Sequence, residues 1–309
     1  MIEYSIMKLS EIYKKTKGQG SSFSHQKTPV ISFEIFPPKN DEDGDKLEKL
    51  LNHLKILKKY NPAFISLTYG AGGTTQNVSL NIIKRIQQEL KTEVMPHFTC
   101  VGASINFVEK YLEDINSLNI KNILALRGDL PEGMDMKSFD FKYANELVTF
   151  IKNKTDLSIG VAGYPEGHIE CNDLEKDLKN LKKKVDAGSD AIYTQMFFDN
   201  DKFFSFLQLA RDKGINVPVI PGILPIKSFP QLEKMLSMAK VNVPKNLMDQ
   251  LEKYKDNDED IEKIGIEFAS YQCRQLIDSG IEGLHFYTLN TSHSVSKILD
   301  NLGLSVIVN

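Results

Sequence analysis

The sequence of 309 residues lacks any run of apolar residues near the length of about 20 that a helix needs to cross a bilayer. Its longer apolar stretches are interrupted, as in Val217–Ile226, where three prolines and a glycine intervene. The first 27 residues are rich in Lys, Ser, Gly and Gln and contain no apolar signal core. We therefore expect a cytoplasmic protein with no membrane partner, and a loosely ordered N-terminal arm over residues 1–28.

Cysteine is scarce, and neither positive nor negative charge is in large excess. The three cysteines, Cys100, Cys171 and Cys273, form no C-x-x-C pair, so neither a disulfide framework nor a zinc site is predicted. The formal net charge of -3 gives no broad basic field, and we expect no nucleic acid as a partner. Hydrophobic residues make up 41% and charged residues 26% of the chain, a balance typical of a folded, soluble protein.

Short apolar runs alternate with stretches in which apolar residues recur at helical spacing. One such stripe consists of Leu47, Leu50, Leu51, Leu54 and Leu57. The apolar runs are Val30–Phe36, Ala63–Tyr69, Val94–Cys100, Ile123–Asp129, Ser158–Tyr164, Ala191–Phe197, Val217–Ile223 and Gly283–Leu289. Strands alternating with helices predict a parallel sheet covered by helices, and eight of them predict one α/β domain, a (β/α)8 TIM barrel over residues 29–309.

Between the seventh and eighth runs the spacing is looser. We expect two helices there, Val243–Lys255 and Ile261–Ser279, around a charged turn over residues 256–260.

A doubly wound sheet is the main alternative architecture. It would favour a glycine-rich phosphate turn after the first strand, but that strand runs into Phe36, Pro37 and Pro38, and no G-x-G-x-x-G occurs. The stretch Gly70–Gly73 comes nearest and has the wrong spacing. The pattern favours the barrel.

Polar side chains fall where the predicted strands end, which is where the chemistry of such barrels collects. The residues concerned are Glu34, Thr68, Tyr69, His97, Arg127, Asp129, Tyr164 and Gln195. Alternation along the first strand points Ser32 and Glu34 into the barrel mouth and Phe33 toward the helices. Apolar neighbours should partly desolvate the Glu34 carboxyl group, which favours its neutral form and suits a general acid.

Each of these residues also has a simpler interpretation. Glu34 would be a solvated loop residue, His97 a structural histidine, and Arg127 and Asp129 a pair that only neutralise each other. His168 and Glu166 would be ordinary loop residues, and Asn180 and Lys184 a solvated helix surface. The residue pattern by itself therefore indicates a polar, anion-tolerant pocket and does not name a substrate.

A series of motifs at these strand ends resembles the methylenetetrahydrofolate reductase family, in particular the catalytic barrel found as a single domain in bacteria. The motifs occur in the expected order and lie at Ser32–Pro38, Ser66–Gly70, Pro96–Cys100, Ala125–Pro131, Gly163–His168, Asp186–Gly188, Thr194–Asp199, Ile220–Pro225 and His285–Asn290. Any one of them is moderately specific, whereas the ordered set over residues 30–290 is highly specific.

The resemblance implies an oxidoreductase with noncovalently bound FAD and with NADH or NADPH as the electron donor. It implies reduction of 5,10-methylenetetrahydrofolate to 5-methyltetrahydrofolate for methionine synthesis, with both substrates using one flavin face in turn. Family members commonly form oligomers, so a homo-oligomer is expected. The sequence leaves the choice between the two nicotinamides open.

The resemblance also assigns roles to residues. Glu34 matches the acid that protonates the folate, and Asp129 matches an aspartate beside the flavin and the pterin. Thr68, Gln195 and Gln231 match substrate contacts. The matches to FAD contacts are Thr68, Tyr69, Ala71, His97, Arg127, Gly128, Asp129, Ala144, Tyr164, His168, Asp177, Asn180 and Lys184.

Two positions depart from the family pattern. Met235 stands where some relatives place an aromatic residue over the folate, and Thr291 stands where some place an arginine. These departures leave the contacts to the p-aminobenzoyl-glutamate tail of the folate open.

Two other functions remain to be weighed. One is a different flavin-dependent barrel, such as a proline dehydrogenase-like enzyme, which would need basic residues to clamp an amino-acid carboxylate and would leave Glu34 without a role. The other is a folate- or flavin-binding accessory barrel without turnover, which would not need an acid at Glu34.

Overall fold

The computed structural model describes residues 7–17, 28–38, 44–68, 76–130 and 139–304. Eight strands pair in parallel in chain order, and the last pairs with the first, so that the sheet closes into a barrel. The strands are β1 (Val30–Ile35), β2 (Phe64–Leu67), β3 (Glu93–Thr99), β4 (Asn122–Leu126), β5 (Ser158–Gly163), β6 (Ala191–Met196), β7 (Val219–Ile223) and β8 (Gly283–Tyr287). The predicted TIM barrel is confirmed, and the doubly wound alternative is excluded.

The helices of the described ranges surround this barrel. They are α1 (Leu9–Lys17), α2 (Asp45–Lys58), α3 (Gln76–Leu90), α4 (Ile105–Ser117), α5 (Ala144–Lys154), α6 (Leu174–Asp186), α7 (Asn200–Asp212), α8 (Phe229–Met238), α9 (Lys245–Lys253), α10 (Asp258–Asp278) and α11 (His293–Asn301). None of these helices combines the length and the apolar composition that a membrane crossing requires.

The apolar core lies between the barrel wall and the helices. Phe33 and Ile35 of β1 point outward into it, and the predicted leucine stripe of α2 is buried against the same layer. The alternation expected along β1 is therefore observed. Near-continuous burial of the strands follows from this arrangement, because their outer faces meet helices and their inner faces meet each other.

The inside of the barrel is divided into an apolar part and a polar part. Phe64, Met95 and Tyr193 belong to an apolar cluster that fills the interior. Ser66 follows Phe64 by two residues on the same face of β2, and His97 follows Met95 in the same way on β3. The polar side chains thus lie toward the C-terminal ends of the strands.

The N-terminal end of the barrel is covered by α1, and this differs from the expected loose order of residues 1–28. Leu9, Ile12 and Tyr13 are fully or almost fully buried and join the interior apolar cluster. The Tyr13 hydroxyl lies 3.0 Å from that of Tyr193, so each can hydrogen-bond the other. The expectation was wrong for Leu9–Lys17 because its three apolar residues fall on one face of a short helix, amid the polar residues that dominate the arm.

Strand β4 ends three residues earlier than the sequence pattern indicated. Gly128 has a φ of 85°, which interrupts an extended chain, and a Cβ atom on it would lie 2.9 Å from Cβ of Thr99. Arg127, Gly128 and Asp129 therefore belong to the loop that leaves the barrel. The positive φ of Gly128 turns the chain, so that Arg127 and Asp129 do not continue the alternation of the strand.

Helix α10 begins earlier than predicted, at Asp258. The Asn257 side chain accepts hydrogen bonds from the backbone N–H groups of Glu259 and Asp260, and three acidic residues occupy the first turn. An amide cap and negative charge at a helix N-terminus are each stabilising by about 1 kcal/mol. Residues 258–260 of the expected turn are thus the start of the helix, and residues 256–257 lie between α9 and α10.

Candidate active site

Glu34 lies near the C-terminal end of β1, inside the barrel, and is only 8% exposed. Its Oε2 atom lies 3.5 Å from Nε2 of His97 and 3.5 Å from Nε2 of His285. Strand pairing produces this grouping, because Glu34 is in register with Ser66 on one side and with Tyr287 on the other. The interpretation of Glu34 as a solvated loop residue is therefore wrong.

His97 is buried on the inner face of β3. Burial lowers the pKa of its imidazole to about 4, because the desolvation of the charged ring outweighs the attraction of Glu34. His97 is consequently neutral at physiological pH. Its Nε2 atom has no hydrogen-bond partner within the described part of the chain.

His285 is a residue of this site to which the sequence reasoning gave no role. Ser32 Oγ lies 2.8 Å from its Nδ1 atom, and Ser66 Oγ lies 3.4 Å from its Nε2 atom. Strand register places Ser32 opposite His285. The signal was present in the sequence, since His285 and Tyr287 alternate on one face of β8 just as Ser32 and Glu34 do on β1.

A cavity of about 1170 Å³ opens beside the ends of β3, β4 and β5. This volume is slightly above the range of about 300–1,000 Å³ that is usual for small-molecule sites. Nine of the predicted cofactor residues line it, namely Arg127, Gly128, Asp129, Ala144, Tyr164, His168, Asp177, Asn180 and Lys184. The structure thus brings together residues that are up to 57 positions apart in the sequence.

One face of α6 forms a wall of this cavity. Asp177, Asn180 and Lys184 follow one another at helical spacing, while Leu178 and Leu181 turn into the core. The amino group of Lys184 donates a hydrogen bond to the Ala162 carbonyl oxygen at 2.6 Å. Lys184 is therefore not the freely solvated residue of the simpler interpretation, whereas Asn180 is exposed.

Burial also changes the proton affinities on this wall. Desolvation lowers the pKa of Lys184 to about 8, against the opposing effect of Asp177. It raises the pKa of Asp177, which Lys184 counteracts, and the Asp177 carboxylate accepts a hydrogen bond from the backbone of His168 at 3.3 Å. Desolvation lowers the pKa of His168, and the His168 ring meets Tyr164 edge to face at 4.6 Å.

Arg127 is held by Glu170 and not by Asp129. Two guanidinium nitrogens donate to the two carboxylate oxygens at 2.6 and 2.7 Å, a bidentate geometry that fixes the plane of the guanidinium group. The simpler interpretation, in which Arg127 and Asp129 only neutralise each other, is therefore wrong. Glu170 was missed because sequence alone does not show that the loop after β5 folds back toward the end of β4.

The remaining predicted residues that the structure describes lie outside the lining of the cavity. Thr68 directly follows β2 and is partly exposed, while His97 lies beside Glu34. The Gln195 side chain accepts a hydrogen bond from the backbone of Met196 at 3.0 Å. Tyr69 and Ala71 lie outside the described residues. Glu34 and Asp129 are at the same end of the barrel, Asp129 on the cavity wall and Glu34 inside the mouth.

The loops after β7 and β8 form another part of the rim. Gln231, in the first turn of α8, accepts a hydrogen bond from the backbone of Lys227 at 2.8 Å. The amino group of Lys227 donates to the Thr291 hydroxyl at 2.8 Å. Met235 is partly buried and packs against the cluster around α8, α9 and α10. Both departures from the family pattern therefore lie on or next to α8.

The fold and the site define a TIM-barrel protein with a buried acid in the barrel mouth and a large cavity beside it that is lined by both basic and acidic side chains. The family model for methylenetetrahydrofolate reductase matches residues 21–303. The chain belongs to the methylenetetrahydrofolate reductase family, as its motifs predicted.

Individual relatives agree with this assignment. The chain is 36% identical to 5,10-methylenetetrahydrofolate reductase of Escherichia coli over 89% of its own length and 90% of that protein. It is 42% identical to methylenetetrahydrofolate reductase (NADH) 1 of Arabidopsis thaliana over 92% of its length. The chain spans about half the length of that plant relative, 50%, and 46% of methylenetetrahydrofolate reductase 1 of Schizosaccharomyces pombe.

Among solved structures, an uncharacterized protein from Clostridium thermocellum has a similar fold. Its TM-score is 0.60 at 15% sequence identity, and the match covers 91% of this chain and 95% of that one. That protein binds two copies of 5-methyl-5,6,7,8-tetrahydrofolic acid. At this level of identity the likeness concerns the fold alone.

Proposed function

We propose that this protein reduces 5,10-methylenetetrahydrofolate to 5-methyltetrahydrofolate with FAD as its bound cofactor and NADH or NADPH as the electron donor. The observation that carries the proposal is Glu34, an acid buried in the mouth of a barrel whose family is defined by this reaction. The product would serve as a methyl donor for methionine synthesis.

The residues of the cavity suit FAD. Lys184 and Arg127 supply positive charge for the pyrophosphate, with the plane of the Arg127 guanidinium group fixed by Glu170. Asp177 on the same wall can accept hydrogen bonds from ribose or adenine. The unpartnered Nε2 atom of buried His97 offers a further polar contact to a bound ring system. No glycine-rich phosphate turn is needed, because the cavity lies across the ends of the strands.

Bound FAD would take a hydride from the nicotinamide and pass it to the folate. The role proposed for Glu34 is to give its proton to N10 of the folate as the bond between N10 and the bridging methylene carbon breaks. The electron pair of that bond stays with N10, and the methylene carbon becomes part of an iminium group with N5. Proton transfer of this kind typically contributes about 10²–10⁴-fold to a rate.

The surroundings of Glu34 place its carboxyl group beside two histidine rings. Burial keeps one of them, His97, neutral at physiological pH, with its Nε2 atom 3.5 Å from Oε2 of Glu34. Ser32 and Ser66 hold the His285 ring beside Glu34. A carboxyl group that is only 8% exposed and held in a fixed position is well placed for proton transfer to one atom of a bound substrate.

Asp129 and Gln195 have proposed roles at the flavin. A carboxylate at Asp129 would disfavour negative charge on the reduced flavin and so strengthen its tendency to give up a hydride. Gln195 would contact the folate and the nicotinamide in turn, since both would use the same flavin face. The plant relatives are named NADH enzymes, so NADH is the first donor to test.

The test is Glu34→Gln, which keeps the size of the side chain but removes its acidic proton. We expect methylenetetrahydrofolate reduction to fall by about 10²–10⁴-fold. Bound FAD and NADH oxidation with menadione as an artificial acceptor should be unchanged, because neither requires protonation of N10. Glu252→Gln, on the exposed side of α9, is the matched control and should retain both reactions.

Two results would contradict the proposal. An equal loss of both reactions in Glu34→Gln would remove the assignment of Glu34 as the acid. A purified wild-type protein that carries no flavin and does not acquire one would exclude this function and a different flavin-dependent barrel alike. An accessory protein would bind flavin or folate without turning over either substrate.

A further inference from the structure

Lys227 presents a positive charge at the rim of the barrel mouth, between the ends of β7 and β8. Its amino group donates to the Thr291 hydroxyl, and it forms no ion pair with any carboxylate of the described residues. The side chain is partly buried. A lysine ammonium group has three N–H donors, and a neutral hydroxyl satisfies one of them without compensating the charge.

The position of this charge is fixed both at the backbone of Lys227 and at its amino group. The backbone N–H of Lys227 donates to Oε1 of Gln231, and Ser228 caps the same first turn of α8 by accepting a hydrogen bond from the backbone of Gln231. The Thr291 hydroxyl in turn donates to the carbonyl oxygen of Thr288 at 3.3 Å. The ammonium group is therefore held by two loops and is not a freely moving surface lysine.

The same hydrogen bonds connect Lys227 to the acid of the site. The Thr288 hydroxyl and backbone N–H both donate to the carbonyl oxygen of Glu34, at 2.7 and 3.1 Å. Glu34, Thr288, Thr291 and Lys227 thus form one chain of contacts along the rim. The geometry places a charged donor at a set position relative to the group that would act on the substrate.

The substrate of the proposed function has a matching chemical feature. A folate carries its reactive ring system at one end and a glutamate with two carboxylates at the other. Carboxylates are preferred partners for an ammonium group, because they add the attraction of an opposite charge that a neutral hydroxyl does not supply. It would therefore be favourable for the Lys227 ammonium group to bind a carboxylate, either in place of the Thr291 hydroxyl or in addition to it.

We propose that Lys227 binds a carboxylate of the folate glutamate and makes the enzyme prefer pteroylglutamates to pteroates. Thr291 is the positioning residue that holds the ammonium group when no carboxylate is present. This inference rests on the proposed function. It extends that function to a contact that Thr291 itself cannot make, because a hydroxyl group carries no charge.

The test compares Lys227→Met with the wild-type enzyme on two substrates, 5,10-methylenetetrahydrofolate and 5,10-methylenetetrahydropteroate, which lacks the glutamate. We expect the wild type to prefer the glutamate-bearing substrate in kcat/KM and the variant to lose about tenfold or more of that preference, mainly through KM. Values for the pteroate substrate should stay as in the wild type. NADH oxidation with menadione should also be unaffected.

Three further variants separate binding from a structural effect. Lys227→Arg keeps the charge and should retain most of the preference. Thr291→Val removes the positioning hydroxyl and should weaken the preference less than Lys227→Met does. Lys234→Met, an exposed lysine on the same helix α8, is the matched control and should behave as the wild type.

The inference is overturned if Lys227→Met keeps the wild-type preference, or if it loses activity equally on both substrates. Binding of folate and of pteroate to each protein, measured by equilibrium dialysis, distinguishes this failure from failure of the proposed function. A wild type that reduces neither substrate but binds folate more tightly than pteroate through Lys227 would overturn the function and support the carboxylate site. If the wild type reduces neither substrate and Lys227→Met also leaves folate binding unchanged, the proposed function and the carboxylate site are both overturned.

Discussion

Asn122 joins Glu93 to the helix that closes the N-terminal end of the barrel. Its Nδ2 atom donates to Oε1 of Glu93 at 3.2 Å and to the Met7 carbonyl oxygen at 2.8 Å, while its Oδ1 atom accepts the backbone N–H of Leu9 at 2.7 Å. The other carboxyl oxygen of Glu93 is buried and has no hydrogen-bond partner among the described residues. Desolvation raises the pKa of Glu93 to about 7, although hydrogen bonds from Lys121 and Asn122 oppose it.

The raised pKa of Glu93 predicts a specific dependence of stability on pH. A carboxyl group whose pKa is higher in the folded state stabilises the fold below its unfolded pKa. That contribution is lost as the pH rises through the pKa of about 7. Glu93→Gln removes the titration. Relative to wild type, we expect the free energy of unfolding of the variant to be about 3 kcal/mol higher at pH 8 than at pH 5, which means that the variant gains relative stability as the pH rises.

Urea denaturation of both proteins at several pH values between 5 and 8 measures this difference. Groups that titrate equally in both proteins cancel in the comparison. Glu259→Gln, in the exposed first turn of α10, should follow the wild-type pH dependence. Parallel curves for Glu93→Gln and wild type would show that Glu93 does not titrate in this range.

The burial of α1 predicts that the helix contributes to the stability of the barrel. Ile12 is fully buried in the interior apolar cluster, so Ile12→Ala should lower the free energy of unfolding by about 2–5 kcal/mol. Lys14→Ala replaces an exposed residue of the same helix and should alter the free energy of unfolding by less than about 0.5 kcal/mol. Chemical denaturation followed by circular dichroism compares the two, and equal stabilities would mean that α1 does not pack on the barrel.

The lowered pKa of Lys184 predicts how FAD binding depends on pH. An anionic pyrophosphate favours the charged lysine, so affinity should decrease as the pH rises above about 8, where the free protein loses this proton. Lys184→Met should bind FAD about tenfold or more weakly at pH 7 and should lose this pH dependence. Quenching of FAD fluorescence on binding gives both quantities.

Lys179→Met is the control for this experiment, since Lys179 lies on the same helix but on its exposed surface. It should bind FAD with the wild-type affinity. An unchanged affinity in Lys184→Met would instead show that the lysine only anchors α6 to the Ala162 carbonyl group.

Gly265 predicts an exception to the usual preference for alanine in helices. It lies inside α10, where alanine normally stabilises by about 1 kcal/mol relative to glycine. A Cβ atom at this position would lie 2.1 Å from the carbonyl oxygen of Ile226, so the backbone of one segment would have to move. We expect Gly265→Ala to lower the free energy of unfolding by about 1–3 kcal/mol. Glu267→Ala, at an exposed position of the same helix, is the control and should not lower the free energy of unfolding. A Gly265→Ala variant that is more stable than the wild type would mean that α10 can shift freely to accommodate the added Cβ atom.

Local patterns were enough to predict much of the architecture. The leucine stripe of α2 and the apolar strands appear where the periodicity indicated, because a helix or a strand that buries one face repeats that face at a fixed interval. The motifs likewise identified the family before any contact was known. Strand ends were less certain, as β4 shows, because the conformation of Gly128 is set by its approach to Thr99 and not by its sequence neighbours.

The contacts of charged residues could not be predicted in the same way. The simpler interpretation of the sequence paired Arg127 with Asp129, but the loop after β5 brings Glu170 into a bidentate pair with it. The simpler interpretation of Lys184 was a solvated surface residue, but its amino group donates to the Ala162 carbonyl oxygen. Pairing of this kind depends on which loops meet, and spacing along the chain carries no information on that.

By itself, the sequence determined the alternation of strands and helices, the number of strands and the family, because each is encoded in residues that are near one another in the chain. Only the tertiary structure decided that His97 and His285 lie on either side of Glu34, that α1 covers the barrel, and that Lys227 meets Thr291. The contact between Glu34 and His285 arises when the sheet closes and brings β8 beside β1. Closure joins residues more than 250 positions apart, and it alone sets their distances and their burial.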